Sequence, residues 1–111
     1  MTVKKLPDNL HRDTLAVRAG IEPSQYGENS EALYLTSSFV QPDAETARKR
    51  FANEEDGYTY TRVGNPTVTG MEQRLAALEG TEAAIAASSG MPSVLLPSIS
   101  IIRSPASKPA R

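Results

Sequence analysis

Two short runs hold the side chains with the most chemistry to offer. The first is Tyr58-Thr59-Tyr60-Thr61-Arg62-Val63-Gly64-Asn65-Pro66-Thr67. The guanidinium of Arg62 is permanently charged and planar, a fork shaped for phosphate or carboxylate. Tyr60 lies two residues earlier, on the same side if the segment is extended. Its phenol can then donate to the same anion. On spacing alone a second arrangement stays open and is the commoner one: a surface arginine beside a half-buried tyrosine that packs on the next helix. The second run is Ser88-Ser89-Gly90-Met91. A Ser/Gly turn between a strand and a helix start aims several backbone N–H groups one way, and such a nest binds phosphate. Ser-Gly turns are common and most bind nothing, so this run carries little weight by itself.

Other polar features read as solvated surface. His11 stands beside Arg12 and Asp13 at a helix start, where a cap-region histidine is the plain expectation. Asn53-Glu54-Glu55-Asp56 is a polar loop, and Arg48-Lys49-Arg50 is the exposed face of a helix. With no cysteine, disulfides, thiolate metal sites and cysteine nucleophiles are excluded, and one histidine cannot build a multi-histidine metal centre. No metal site is expected. A formal net charge of −1 gives no electrostatic case for nucleic acid. No apolar run reaches the roughly 20 residues of a membrane span, and Met1–Pro7 lacks the apolar stretch of a secretory signal, so the expected location is the cytoplasm.

Several elements must position these runs. Residues 12–19 predict a short helix closed by Gly20, with Leu15, Ala16 and Ala19 on one side. Residues 21–30 form a polar loop, and residues 33–40 are β-prone and extended. Asp43 caps a second helix whose Ala44, Ala47 and Phe51 share a face. Asn65 caps a third, with Pro66 in its first turn and Gly80 at its end. Its Val68, Met71, Leu75 and Leu78 make one apolar stripe. Residues 81–87 are small and apolar, which predicts a buried strand leading into the Ser-Gly turn.

The 111-residue length suits one small domain, but a 39% hydrophobic content makes its core thin. Composition also breaks near residue 91. All 13 acidic residues precede residue 83, whereas residues 92–111 carry three basic groups, no acidic group and four of the eight prolines. Such a segment reads either as a flexible tail or, given Val94-Leu95-Leu96 and the isoleucines at 99, 101 and 102, as foreign to what precedes it.

Taken together, five runs resemble the N-terminal part of the Cys/Met-metabolism family of pyridoxal-phosphate enzymes. They are Thr14-Leu-Ala-Val-Arg-Ala-Gly20, Leu35-Thr-Ser-Ser-Phe39, Tyr60-Thr-Arg62-Val-Gly-Asn-Pro-Thr67, Leu75-Ala-Ala-Leu-Glu-Gly80 and Ser88-Ser-Gly-Met91. Their order and spacing match over roughly residues 11–91. Within the family, residues 32–40 and the opening helix are most similar to the O-succinylhomoserine sulfhydrylases.

The resemblance implies an α/β protein of the aspartate-aminotransferase type (fold type I), present here in truncated form. Residues 1–66 would be an N-terminal arm that crosses to a neighbouring subunit, and residues 67–91 the start of the large cofactor-binding domain. Residues 92–111 would lie outside the family pattern, as a shift of reading frame after Met91 would produce. The cofactor would be pyridoxal 5′-phosphate. Tyr60 and Arg62 would bind its phosphate in the neighbour's site, and Ser89, Gly90 and Met91 the phosphate of the chain's own site. The parent would be a homotetramer acting on a small amino-acid substrate. Its reaction would be γ-replacement on O-succinyl- or O-acetyl-homoserine with sulfide, giving homocysteine for methionine biosynthesis. A cystathionine γ-synthase, γ-lyase or methionine γ-lyase parent is the alternative. The lysine that holds the cofactor would lie beyond residue 111, so this chain would supply no catalytic residue and would be inactive alone. From other classes, an inactive remnant and a small anion-binding module are the competing readings.

Overall fold

The computed structural model describes residues 6–95; the tail expected over residues 92–111 lies almost wholly outside them. Three helices are set by their ends: α1 Arg12–Arg18, α2 Ala44–Phe51 and α3 Pro66–Glu79. His11 caps α1, accepting at Nδ1 from the Asp13 N–H at 3.3 Å, and the helix stops where Gly20 turns left-handed at φ 74°. Asp43 caps α2, its carboxylate accepting from the Thr46 N–H at 2.8 Å and the Thr46 hydroxyl at 2.9 Å. That helix closes on Asn53 at φ 56°, with the Glu54 N–H donating to Lys49 O and the Asn53 N–H to Arg50 O. This is a Schellman closure with asparagine in place of glycine. Asn65 caps α3, Pro66 opens it, and Gly80 at φ 67° ends it.

The ends of α1 and α3 meet through small residues. A Cβ on Gly70 would sit 2.8 Å from Gly20 O, and a Cβ on Gly20 would collide with Gly70 O. Ala19 and Ala76 are the buried apolar residues among those described. Arg74 ties the junction, its Nε donating to Ala19 O at 2.8 Å and its Nη1 to Glu31 at 3.1 Å. Ala19 O is a terminal carbonyl of α1 with no helical donor, so the guanidinium satisfies an otherwise orphaned group.

The stripe on α3 stays largely bare, with Val68, Met71 and Leu75 40%, 53% and 48% exposed. Glycine and alanine let another segment approach the opposite side closely, and among the described residues no sheet lies over the stripe. One expectation is corrected. Residues 81–87 form no strand, and among the described residues there is none. A ladder needs a neighbouring strand, and the Ala86 N–H instead donates to the Glu72 carboxylate at 2.7 Å. The α/β layering is therefore not present in residues 6–95. Residues 33–40 are extended as expected, with one antiparallel bridge from Ser38 to Tyr60.

Gly70→Ala separates helix propensity from packing. Alanine favours a helix interior by about 1 kcal/mol over glycine, but the methyl would strike Gly20 O, an overpacking cost of roughly 1–3 kcal/mol. Thermal melting followed by circular dichroism should show a net loss of stability. A raised midpoint would refute the close crossing.

Acid should loosen the same elements. Hydrogen bonds from the Thr46 N–H and hydroxyl hold the Asp43 carboxyl below its ordinary value. The hydrogen bond from Arg74 does so for Glu31, and the Ser24 N–H and hydroxyl do so for Glu28. A carboxylate depressed in the folded state stabilises above its unfolded pKa and loses that contribution as pH falls through the folded one. Helix content should therefore be flat above about pH 5 and fall below about pH 4. The Asp43→Asn variant, which keeps a capping oxygen, should show a smaller acid loss in α2.

Candidate functional site

The Tyr60–Arg62 run is positioned by its pairing with the preceding extended segment. The Phe39 N–H donates to Thr59 O at 3.1 Å, and the Thr61 N–H to Ser37 O at 2.9 Å. Thr59 is buried where the two segments pair. Beyond Tyr60 the backbone turns sharply, with the Val63 and Gly64 N–H groups both donating to Tyr60 O. Tyr58 anchors the upstream end, its hydroxyl donating to Thr69 at 3.0 Å and its ring 5.5 Å from that of Phe39.

Asn65 locks the downstream end. It is 4% exposed and uses both halves of its amide. Its Oδ1 accepts from the Thr67 N–H at 2.9 Å, while Nδ2 donates to Tyr34 O and to the Thr61 hydroxyl, each at 3.0 Å. The Tyr34 N–H donates in turn to the Thr67 hydroxyl at 2.9 Å. The sequence marks Asn65 as a helix cap, and an Asn-Pro pair signals no more than that. Its second role depends on residue 34 coming back alongside α3, which no local pattern records.

Tyr60 and Arg62 come together through the turn over residues 61–63 and not along an extended segment. The Arg62 guanidinium carbon stands 5.5 Å from the centre of the Tyr60 ring, a cation–π contact. Among the described residues Arg62 has no hydrogen bond and no ion pair. The other described arginines all have one: Arg12 with Glu79, Arg18 with Asn29, Arg48 with Glu45 and Glu54, Arg50 with Gln41 and Glu55, and Arg74 with Glu31. The Tyr60 hydroxyl is likewise without a partner among them. The pair thus presents a cationic fork and a phenol to solvent.

Ser89, Gly90 and Met91 stand where the Ser-Gly turn opens a helical stretch over residues 90–95. The Ser93 hydroxyl donates to Ser89 O at 3.0 Å, and a Cβ on Gly90 would meet nothing within 4 Å. Among the described residues no backbone carbonyl takes the Gly90 or Met91 N–H. No hydrogen bond, ion pair or ring contact joins this turn to Tyr60 or Arg62. A separate open groove of about 210 Å³ lies between the end of α1, residues 31–34 and α3, and none of the five residues lines it. The described residues include no cluster of three or more His, Asp or Glu that could hold a metal, and no helix long and apolar enough to cross a membrane. His11 is the exposed cap that the sequence predicts.

The pattern of the family described as Cys/Met metabolism PLP-dependent enzymes matches residues 13–107, and the chain belongs to that family. The match runs past Met91 and includes most of the proline-rich segment. Two relatives are named O-succinylhomoserine sulfhydrylase. That of Mycobacterium tuberculosis is 48% identical over 93 residues, covering 84% of this chain and 23% of the relative. That of Pseudomonas aeruginosa is 53% identical over 83 residues, covering 75% and 21%. An L-methionine gamma-lyase of Fusobacterium nucleatum is 51% identical over 78 residues, covering 70% and 20%. In structure the chain is similar to metB from Corynebacterium glutamicum, with a TM-score of 0.57 and 38% identity over 71% of this chain and 19% of that one. The chain thus spans about a fifth of the length of the relatives it matches, and its family uses pyridoxal phosphate.

Asn65→Asp should divide the two roles of that residue. Aspartate caps a helix as well as asparagine does, but it cannot donate to Tyr34 O or Thr61. Chemical denaturation should show a loss of roughly 1–3 kcal/mol, from unmade hydrogen bonds at a buried position, with the start of α3 intact by NMR. Unchanged stability would show that the Nδ2 contacts carry no weight.

Proposed function

We propose that this chain contributes phosphate-binding groups to two pyridoxal-phosphate sites. In this reading Tyr60 and Arg62 hold the cofactor phosphate of a neighbouring subunit, and Ser89, Gly90 and Met91 hold that of the chain's own subunit. The observation that carries the reading is Arg62, the described arginine without an anionic or hydrogen-bonding partner, set beside an unpartnered phenol. The donors fit the group. A phosphate dianion is satisfied by a charge-assisted fork, a neutral O–H and backbone N–H groups at a turn, and it leaves no carboxylate facing it. Gly90 leaves open space at the turn for such an approach.

Bound pyridoxal phosphate supplies an electron sink for charge developing on an amino-acid substrate. The part of this chain's residues is to bind and orient: in the neighbour's site Arg62 neutralises phosphate charge and Tyr60 donates to one oxygen, and in the chain's own site the turn amides hold the phosphate. Residues 1–66 act as a subunit-crossing arm and residues 67–91 begin the large domain of an α/β, fold type I enzyme. The parent is a cytoplasmic homotetramer that replaces the γ-substituent of O-succinyl- or O-acetyl-homoserine by sulfide. Two relatives named O-succinylhomoserine sulfhydrylase support this choice. The relative named L-methionine gamma-lyase, similar over much the same residues, keeps γ-elimination as the second reading. None of the five residues is assigned a catalytic role, and the chain alone is read as inactive.

Two measurements test the assignment. NMR titration of the 111-residue chain with pyridoxal phosphate should show binding that Arg62→Ala weakens by about tenfold or more. Tyr60→Phe should weaken it less, because a charged contact is worth roughly 1.5–3 kcal/mol and a neutral hydrogen bond about 0.5–1.5. Sedimentation velocity should show pyridoxal phosphate, but not phosphate-free pyridoxal, promoting a dimer, because a ligand shared by two chains favours their association. If Arg62→Ala binds as tightly as the parent chain, or the dimer fails to respond, the cross-subunit assignment is wrong.

A further inference from the structure

Two residues outside the phosphate-binding set, Gln41 and Arg50, hold the Tyr60–Arg62 run from the side. The Gln41 Nε2 donates to Phe39 O at 2.8 Å and to Tyr58 O at 3.0 Å, so one amide joins both extended segments where they cross. Its Oε1 accepts from Arg50 Nη1 at 2.8 Å. The amide has one workable orientation. Reversed, it would set an oxygen against two carbonyls and an NH₂ against a guanidinium.

Arg50 reaches this amide from α2 by lying across Gly57. A Cβ at residue 57 would collide with the Arg50 side chain. Glu55 stands 3.4 Å from Arg50 Nε, which is buried and makes no hydrogen bond. The links run from α2 through Arg50 and Gln41 to the backbone of Tyr58, two residues before Tyr60. Arg50 is a cation, but Gln41 and Glu55 engage it, so it orients the segment without competing for the anion.

We propose that Gln41 and Arg50, seated over Gly57, are positioning residues that set the Tyr58–Arg62 run so that the Tyr60 phenol and the Arg62 fork meet one phosphate. This inference rests on the phosphate reading of Tyr60 and Arg62. Two main-chain hydrogen bonds, which together make the single Ser38–Tyr60 bridge, join the crossing segments. A pairing this short is marginal without side-chain support, and the Gln41 amide supplies it.

The test uses the isotope-labelled 111-residue chain, with amide hydrogen exchange read beside NMR titrations of pyridoxal phosphate and of inorganic phosphate. Gln41→Met is neutral and nearly isosteric, so it leaves the charge near Arg62 unchanged. Gly57→Ala sets a methyl where the Arg50 side chain lies, at a backbone φ of 159° where alanine is also strained, while leaving the Gln41 side chain chemically intact. Either variant should speed exchange of the Phe39 and Thr61 N–H groups and weaken both ligands. Each effect should be about threefold to tenfold, the worth of a lost hydrogen bond. The phosphate-induced shift of the Tyr60 ring resonances should shrink in parallel, and protection along α3 should stay at its original level. If Gln41→Met also lowers protection along α3, Gly57→Ala decides the matter. Faster exchange with unchanged affinity would reduce the contact to a structural tie and overturn the proposal. Unchanged exchange overturns it as well. Arg62→Ala keeps the two readings apart: it should remove affinity while leaving Phe39 and Thr61 exchange unaltered. Binding that survives Arg62→Ala defeats the phosphate reading, whereas an unaltered Gln41→Met chain defeats the clamp alone.

Discussion

A single buried amide, that of Asn65, ties together the parts of this chain that matter for function. Its oxygen starts α3, and its nitrogen holds the backbone of Tyr34 and the side chain of Thr61. Tyr34, 31 residues away in sequence, is thereby tied to Thr61 and to the start of α3 through one side chain at 4% exposure. A buried polar group with every partner in place specifies one arrangement, because each alternative leaves a donor or acceptor unmade. That constraint anchors the downstream end of the crossing of residues 37–41 with 58–61, on the side of Thr61.

The helix ends were legible in the sequence because capping is local. Asp43, Asn65, Pro66, Gly20 and Gly80 each act within a few residues of their own position, and each does what its chemistry predicts. The closure on Asn53 was missed, since asparagine is a less frequent left-handed residue than glycine and the loop after it is uniformly polar. The strand expected at 81–87 failed because a strand depends on partners across a sheet, and a period of apolar residues reveals which side wants covering but not what stands there. In the site, the sequence offered Tyr60 and Arg62 as neighbours on an extended backbone, whereas a turn over residues 61–63 brings them together; the Gln41–Arg50–Gly57 contacts were not readable, because they join residues 9 and 17 positions apart through a polar amide.

Charge on this chain is organised by pairing. Arginines at 12, 48, 50 and 74 each face a carboxylate, mostly at exposed positions where such pairs contribute little to stability. Their effect is on recognition. With the other described arginines already engaged, an incoming dianion meets one unengaged guanidinium among the described residues, and a near-neutral chain does not attract polyanions broadly.

The junction of α1 with α3 has a consequence for the history of the chain. Arg74 and Ala19 are 55 residues apart, yet they close against each other through a hydrogen bond and a glycine-on-glycine approach. The entropy of closing such a loop rises with the logarithm of its length, so doubling it costs only about 0.6 kcal/mol. Insertions within residues 21–30 would therefore be inexpensive, whereas a single methyl at Gly20 or Gly70 would not. Length should drift in that connection across descendants of this sequence while the two glycines stay fixed.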